Sequence, residues 1–286
     1  MMIKFTICRK CVNDAQIPGI IFDEKGICNY CYQVEDIKIQ YGTGTAIGKK
    51  KLDSIIQQIK RDGTKKQFDC VVGISGGTDS SFLLMKAVEW GLRPLAVHYD
   101  NTWNSGLASE NIYHLTTKLE VPLVTFVVDN REVDEIKLSF LRASVAEFDS
   151  DTDLAYVQIL RTFAAKYKVK FILEGHSFQT EGISPLGGNY LDGGYIQDIV
   201  KKHSKIKIKN FPNMTFFKFL KWLIFYRQKF IRPLWYISYD KEVARNELMQ
   251  KLNWKYYGGH HLENKASSFA HSIWLPQKFN IDYRYL

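Results

Sequence analysis

The chain has no apolar run long enough to cross a membrane. Its most apolar stretch, Trp222–Tyr226, is short and flanked by Lys and Arg, whereas a spanning helix needs roughly 20 apolar residues. The first residues also lack the basic-then-apolar pattern of a secretory signal. We therefore expect a cytoplasmic protein, whose five cysteines are thiols or metal ligands rather than disulfides.

The composition has no strong bias either. Hydrophobic residues make up 45% and charged residues 24% of the 286 positions, which excludes a disordered, collagenous or fibrous chain. The length fits one large domain, or one domain with a small appendage.

Four of the cysteines form two close pairs near the start of the chain. Cys8 and Cys11 are followed, after sixteen intervening residues, by Cys28 and Cys31. This spacing is typical of a tetrahedral zinc site, and four thiolates leave no open position, so the metal would be structural. The alternative is four free thiols. The piece between the pairs, Ile20–Ile27, predicts a short strand, a turn and a strand.

Strands and helices alternate through the middle of the chain. An amphipathic helix carries Leu52, Ile55, Ile56 and Ile59 on one face. The predicted strands are Asp69–Ile74, Leu95–Tyr99, Leu123–Val128 and Lys170–Glu174, and the predicted helices are Ser80–Trp90, Ala108–Leu119 and Leu154–Tyr167, the last capped by Asp151, Thr152 or Asp153. This alternation predicts an α/β fold with a doubly wound, mainly parallel sheet. Ligands bind such sheets beyond the carboxyl ends of the strands.

The first strand-to-helix turn carries the most specific motif, Ser75-Gly76-Gly77-Thr78-Asp79-Ser80-Ser81. Two glycines let the backbone approach an anion closely, and the helix N-terminus and four hydroxyls point donors at it. Asp79 fits such a site if it holds Mg²⁺ between phosphates. An ordinary glycine turn, with Asp79 or Ser80 as helix cap, is the alternative.

Ser-Gly-Gly-x-Asp-Ser after the first strand resembles the PP-loop of the N-type ATP pyrophosphatases. The resemblance implies that residues 75–81 bind the pyrophosphate part of ATP, which transfers AMP to a substrate oxygen. It also implies that His98 and Asp100, after the second strand, contact the adenosine. Gly175 and His176, after the fourth strand, would lie in another nucleotide- or substrate-binding loop.

The cysteine pairs, this loop, the stretch Leu173–Pro185 and the late Tyr256–His261 together resemble the N-acetyl sugar amidotransferases of surface-polysaccharide (O-antigen, lipopolysaccharide) biosynthesis. The resemblance covers nearly the whole chain. It implies that the amide oxygen of an N-acetyl sugar, free or nucleotide-linked, is adenylated and replaced by ammonia. The implied cofactors are ATP, Mg²⁺ and Zn²⁺, and the implied catalytic residues are Asp79, His176 and Glu181.

The substrate contacts are predicted in the last part of the chain. Asn189, Asp192 and Tyr195 lie in the glycine-rich stretch Pro185–Tyr195, which predicts a loop over the carboxyl edge of the sheet. Their side chains suit sugar hydroxyls, although a plain surface loop is the alternative. His260 and His261 are expected to contact substrate or phosphate rather than a metal, because adjacent histidines point apart on regular structure. The predicted domains are a zinc module (1–41), a linker and helix (42–65), the ATP-pyrophosphatase core (66–182) and a substrate- or partner-binding region (183–286).

After the PP-loop the sequence has no cysteine that could release ammonia from glutamine. We therefore expect a separate glutaminase subunit or free ammonium. Two other functions stay open. A tRNA-thiolating enzyme also joins a zinc module to a PP-loop, but usually needs further cysteines. A non-enzymatic zinc-ribbon nucleic-acid binder would leave the phosphate loop unexplained.

A basic segment dominates the charge of the protein. Ten Lys and Arg and no acidic residue lie between Ile199 and Tyr239, and they account for the net charge of +9. Within it, Phe216–Arg227 is apolar on most faces. It predicts either a helix packed on the core or a docking surface for a glutaminase or a second copy of this chain. Peripheral contact with an anionic membrane is a weaker option, and nucleic acid is not expected.

Overall fold

The computed structural model describes residues 6–11, 13–17, 19–183, 192–259 and 262–281. Its centre is a five-stranded sheet in the order β3-β2-β1-β4-β5, with every pair parallel. The strands are β1 (Cys70–Ile74), β2 (Pro94–Asp100), β3 (Leu123–Val127), β4 (Phe171–Leu173) and β5 (Lys229–Ile231). Four of them were predicted from the sequence, and β5 was not.

Helices cover the sheet and extend from it. Their bounds are α1 (Asn29–Tyr41), α2 (Ala46–Gly63), α3 (Thr78–Glu89), α4 (Gly106–Lys118), α5 (Asn130–Ala143), α6 (Ser150–Lys166), α7 (Phe178–Glu181), α8 (Gly193–His203), α9 (Phe216–Lys221), α10 (Lys241–Leu252) and α11 (Lys265–Phe269). Two π-helical stretches follow α9 (Trp222–Tyr226) and α11 (Ala270–Phe279).

The sheet is buried on both faces because its central strand alternates between two cores. Val72 and Ile74 of β1 pack with the apolar faces of α2, α3 and α10, whereas Val71 packs with Ile159 and Leu160 of α6. All five residues of β1 are buried, which explains its continuous apolar sequence. The predicted doubly wound α/β fold is therefore confirmed.

The strand order reverses at β1. β2 and β3 lie on one side of it and β4 and β5 on the other. A crevice at this point is the usual ligand site of open α/β sheets. In this sheet that position is at the turn after Ile74 and the turn after Leu173, and we call the surface where these two turns meet the crevice.

Two local predictions were wrong. Residues 20–28 form a turn with one isolated antiparallel bridge, Phe22 to Cys28, instead of two strands. The cap of α6 is Asp149, because Asp151 lies inside the first turn and pairs with Lys137 of α5, Nζ to Oδ1 2.6 Å.

The interpretation of Phe216–Arg227 as a helix packed on the core was also wrong. Phe217 and Phe225 are 81% and 76% exposed, and Trp222 is the one buried side chain of the segment. Within the described ranges, no helix has the length and apolar character needed to cross a bilayer.

Candidate active site

The loop after β1 has the predicted shape of an anion cradle. Ser80 Oγ lies 3.2 Å from both the amide nitrogen and Oγ of Ser75, and the Gly77 amide donates to Ser75 Oγ. Gly76 has φ +81° and packs so closely on α4 that a Cβ would lie 2.4 Å from the Ala108 carbonyl oxygen. The loop therefore requires glycine at this position.

The turn that follows β4 packs against this loop at a second glycine, Gly175. A Cβ on Gly175 would lie 2.8 Å from the Ser80 amide nitrogen and 2.9 Å from the Asp79 carbonyl carbon. The two turns that flank the strand reversal are thus in van der Waals contact. The sequence predicted both turns as ligand-binding, and the structure brings them together.

Asp79 has a partner at each carboxylate oxygen. The Tyr239 hydroxyl donates a hydrogen bond to Oδ1, and Lys241 Nζ lies 3.1 Å from Oδ2. Lys241 is the first residue of α10. Binding of Mg²⁺ to Asp79 would therefore require Lys241 to move away. The predicted magnesium role stays a prediction.

Not every residue of the loop faces the crevice. Thr78 and Ser81 are buried at the start of α3, so the structure does not present the Ser81 hydroxyl to a ligand. Ser75 is exposed, and Asp79 and Ser80 are half-buried.

His176 and Glu181 form a pair beside Asp79. Nε2 of His176 lies 3.1 Å from Oε2 of Glu181. Burial, and then the nearby charge of Asp79, raise the pKa of Glu181 to about 7. Burial, and then the Arg232 guanidinium, lower the pKa of His176. The pair can therefore hold or release one proton near neutral pH.

Arg232 adds a positive charge at the same edge. Its Nε donates to Glu174 Oε2 at 3.1 Å, and its guanidinium lies 5.0 Å from the ring centre of Trp235. Burial raises the pKa of Glu174 even though Arg232 opposes the shift.

His98 and Asp100 have structural partners. The His98 ring lies 3.0 Å from the Ile74 carbonyl oxygen through Nδ1, and its Nε2 lies 3.2 Å from Asn104 Nδ2. Burial lowers its pKa, so the ring is neutral at pH 7. Asp100 accepts hydrogen bonds from the Thr102 amide and from Asn104. Both residues therefore shape the end of β2, and their predicted contact with adenosine stays a prediction.

Of the five predicted substrate residues, the structure describes Asp192 and Tyr195. Asn189, His260 and His261 lie outside the described residues. Asp192 caps α8 by accepting from the Gly194 amide. Tyr195 hydrogen-bonds Glu147 and packs edge-on against Phe140. Asp192 thus caps a helix and Tyr195 packs against Phe140 of α5, and their predicted contacts with sugar hydroxyls stay predictions.

Several residues of the crevice have no local signal in the sequence because they come from far along the chain. Tyr239 and Lys241 reach Asp79 from the start of α10, about 160 residues away. Tyr257 also reaches the loop, since its hydroxyl would lie 3.3 Å from a Cβ on Gly77. The Asp240 cap signal predicts a helix start, but nothing local indicates that this start meets the phosphate loop.

The four paired cysteines form a compact cluster. Their sulfurs all lie within 4.8 Å of one another, with Sγ–Sγ distances of 3.8 Å for Cys8–Cys31, 3.6 Å for Cys11–Cys28 and 3.7 Å for Cys28–Cys31. Four sulfurs at about 2.3 Å from one tetrahedral zinc are about 3.8 Å apart. The cluster therefore fits a single metal ion.

A cavity of about 450 Å³ lies beyond the end of β2. Its lining is mostly apolar and consists of Trp103, Asp134, Lys137, Leu138, Leu141, Phe148, Lys265, Ala266 and Phe269. The Lys265 amide donates to the Trp103 carbonyl oxygen, which joins α11 to the turn that follows Asp100. This cavity is thus separate from the Asp79 crevice but adjacent to the predicted adenosine contacts.

Comparison with known proteins gives similarity in structure alone. No family model and no curated protein matches the chain. Among solved structures, NMN synthetase from Francisella tularensis is 14% identical with a TM-score of 0.41, over 77% of this chain and 80% of that one. The U34-tRNA thiolase NcsA from Methanococcus maripaludis, solved with its [4Fe-4S] cluster, is 16% identical with a TM-score of 0.43, over 99% of this chain and 86% of that one.

The NH3-dependent NAD synthetase from Campylobacter jejuni is 15% identical with a TM-score of 0.36, over 59% of this chain and 72% of that one. Similarity at these TM-scores does not assign an activity. The activity must therefore be inferred from the residues of the site and their contacts.

Proposed function

We propose that the chain is an ATP-dependent, AMP-forming amidotransferase that converts the N-acetyl group of a sugar, free or nucleotide-linked, into an acetamidino group. The observation that carries the proposal is the contact between the Ser75–Ser81 loop and Gly175 at the strand reversal, with Asp79, His176 and Glu181 around it. The sugar substrate is supported by the combined motifs of the sequence.

The residues of the loop fit a polyphosphate. The backbone at Gly76 leaves no room for a side chain, Ser75 and Ser80 supply hydroxyls, and the twelve-residue helix α3 begins at Thr78. Lys241 and Arg232 add two positive charges at the crevice. When bound, ATP supplies the AMP group that turns an amide oxygen into a leaving group.

The reaction has two steps that balance. The amide oxygen bonds to the α-phosphorus while the bond to the leaving pyrophosphate breaks. Ammonia then bonds to the amide carbon while the carbon–oxygen bond breaks, so that AMP departs with that oxygen. Both steps are displacements. The chain must therefore position the reactants and neutralise the developing charge rather than supply a nucleophile.

His176 and Glu181 suit the proton transfer of the second step. Incoming nitrogen must lose a proton, and a carboxylate with a pKa of about 7 accepts protons near neutral pH. When Glu181 is ionised, Nε2–H of His176 donates to it across their 3.1 Å contact. His176 thereby holds Glu181 in place, and Glu181 is the base.

The ammonia comes from outside this chain, as free ammonium or from a separate glutaminase. Four of its five cysteines are in the cluster, and Cys70 is fully buried in β1. Burial also raises the pKa of the Cys70 thiol. The same burial argues against tRNA thiolation through a sulfur-carrying fifth cysteine.

Zinc is the metal that we propose for the four-cysteine cluster. The sulfur–sulfur distances of 3.6–3.8 Å match four ligands on one ion. In a four-iron cluster each thiolate binds a different iron, which spreads the sulfurs further apart. The metal would stabilise the module of residues 6–41, whose own apolar core is small.

The test is pyrophosphate release by the full chain with ATP, Mg²⁺, ammonium and a panel of N-acetyl sugars and N-acetyl sugar nucleotides. We expect release only when one of these acceptors is present, and a fall of about a hundredfold or more in Asp79→Asn. The matched control is Asp53→Asn, on the exposed face of α2, which should keep wild-type activity. Equal activity of the two variants would contradict the proposed site.

A further inference from the structure

A protruding aromatic segment lies outside the site described above. Residues 216–227, called the aromatic segment below, comprise α9 and the π-helical turn after it. The exposed large apolar side chains are Phe216, Phe217, Phe219, Leu220, Leu223, Ile224, Phe225 and Tyr226. Such a concentration on a surface indicates a binding partner.

The exposed side chains of the aromatic segment lie all around its helix axis instead of along one face. Every residue of α9 is exposed, including consecutive ones that point in different directions around the helix axis. A partner with a flat surface would cover one side of such an element. A lipid interface can surround a protrusion on all sides, so the geometry favours lipid over protein.

The segment is nevertheless fixed to the protein. Trp222 is buried, and its Nε1 donates to Gln158 Oε1 of α6 at 2.9 Å. Its ring packs against the Tyr226 ring with centroids 4.6 Å apart and the planes tilted by 48°. Lys218 Nζ donates to the Asn213 carbonyl oxygen at 3.0 Å. These contacts hold the exposed side chains outward.

The surroundings are positively charged. No acidic residue occurs between positions 199 and 239, and no carboxylate in the described part of the chain pairs with Lys218, Lys221 or Arg227. Lys218 also lines a cavity of about 440 Å³ together with Lys201, Lys207 and Lys209. The apolar protrusion thus borders a basic surface, which is complementary to anionic headgroups.

We propose that the aromatic segment inserts into the interface of a membrane containing anionic phospholipid, with its Lys and Arg and the adjacent lysine-lined cavity against the headgroups. Phe, Tyr and Trp beside Lys and Arg are the residues that occupy this depth of a bilayer. The inference does not depend on the proposed chemistry, because none of its residues lies at the Asp79 crevice.

The test is co-sedimentation of the full chain with vesicles of phosphatidylcholine alone or with about one third phosphatidylglycerol, at low and high salt. We expect binding to the anionic vesicles that weakens with salt. The triple variant Lys218→Gln, Lys221→Gln, Arg227→Gln should bind them about a hundredfold more weakly, at about 1 kcal/mol for each basic residue. The matched control is Lys49→Gln, Lys50→Gln, Lys65→Gln, three exposed lysines elsewhere.

Two double variants test whether the exposed apolar side chains of the segment contribute to binding. Phe217→Ser with Phe225→Ser should reduce binding about tenfold or more, whereas Ile39→Ser with Ile47→Ser, two other exposed apolar residues, should not. Circular dichroism confirms folding of each variant. The proposal is overturned if the wild type does not bind anionic vesicles. It is also overturned if the variants of the aromatic segment bind them as well as their control variants do. A dimer in solution that dissociates in Phe217→Ser with Phe225→Ser, without vesicle binding, would assign the segment to a second copy of this chain.

Discussion

Replacing Gly76 with alanine tests whether the loop after β1 has the backbone shape seen here. The added Cβ meets the Ala108 carbonyl oxygen at 2.4 Å, and φ is +81°. Left-handed backbone costs an L-residue about 1–2 kcal/mol, and forcing an atom into a packed site costs about 1–3 kcal/mol. We therefore expect Gly76→Ala to lower the free energy of unfolding by about 2–5 kcal/mol.

Two other glycines separate these contributions. Gly182 has φ +67° with nothing within 4 Å of the added Cβ, so Gly182→Ala should show backbone strain alone, about 1–3 kcal/mol. Gly106, the first residue of α4, has open space and no positive φ, so Gly106→Ala should be neutral or slightly stabilising.

Unfolding in guanidinium chloride, followed by far-ultraviolet circular dichroism, measures all three variants. The expected order of stability is Gly106→Ala, then Gly182→Ala, then Gly76→Ala. If Gly76→Ala is as stable as Gly106→Ala, the close approach of the loop to α4 is wrong, and the argument for an anion cradle fails with it.

Three further predictions concern the metal, a buried charge and a proton. Purified wild type should contain about one zinc per chain by elemental analysis, and Cys28→Ser should lose it along with stability; a folded wild type without metal would refute the site. Lys137→Met leaves the buried carboxylate of Asp151 and the half-buried carboxylate of Asp149 without their cation, so it should cost about 3–5 kcal/mol in urea unfolding, whereas the exposed Arg131→Met should cost under about 0.5 kcal/mol. The base role proposed for Glu181 predicts that turnover, measured at a fixed concentration of free NH3, rises with pH and levels off above about 7. Under the same condition Glu181→Gln should remove that rise and lower turnover by about 10²–10⁴; an unchanged pH profile in the variant would exclude Glu181 as the base.

The sheet was predictable because its strands have local signatures. β1 is a continuous apolar run, and a fully buried parallel strand produces that pattern directly. β5 has three residues, one exposed and two half-buried, and lies inside a basic segment. Its pairing with β4 is a tertiary property that no local pattern carries.

Helix α5 was missed for a different reason. Its buried face contains Glu132, Glu135 and Lys137 as well as apolar residues. Glu132 accepts hydrogen bonds from the backbone amides of Lys209, Asn210 and Phe211. Charged residues on a buried face hide the apolar periodicity, and the backbone amides that Glu132 binds lie 77 to 79 positions away.

The candidate site likewise has one part that local sequence signals predict and another part that they do not. The Ser75–Ser81 loop and Gly175 follow from motifs and from the end of a strand, both readable locally. The cation beside Asp79 is Lys241, 162 positions later, and its place depends on how α10 packs on α3. Asp192 and Tyr195 were predicted as sugar contacts, which stays a prediction; that Asp192 caps α8 and Tyr195 packs on Phe140 was not predicted from the sequence.

The most direct test of the central claim follows the amide oxygen. An N-acetyl sugar acceptor is labelled with a heavy oxygen isotope in its acetyl carbonyl and incubated with the full chain, ATP, Mg²⁺ and ammonium. Adenylation of the amide oxygen predicts that the label appears in the phosphate of AMP, with an acetamidino sugar as the other product. Label retained in the sugar, or AMP formed without label, would contradict the account.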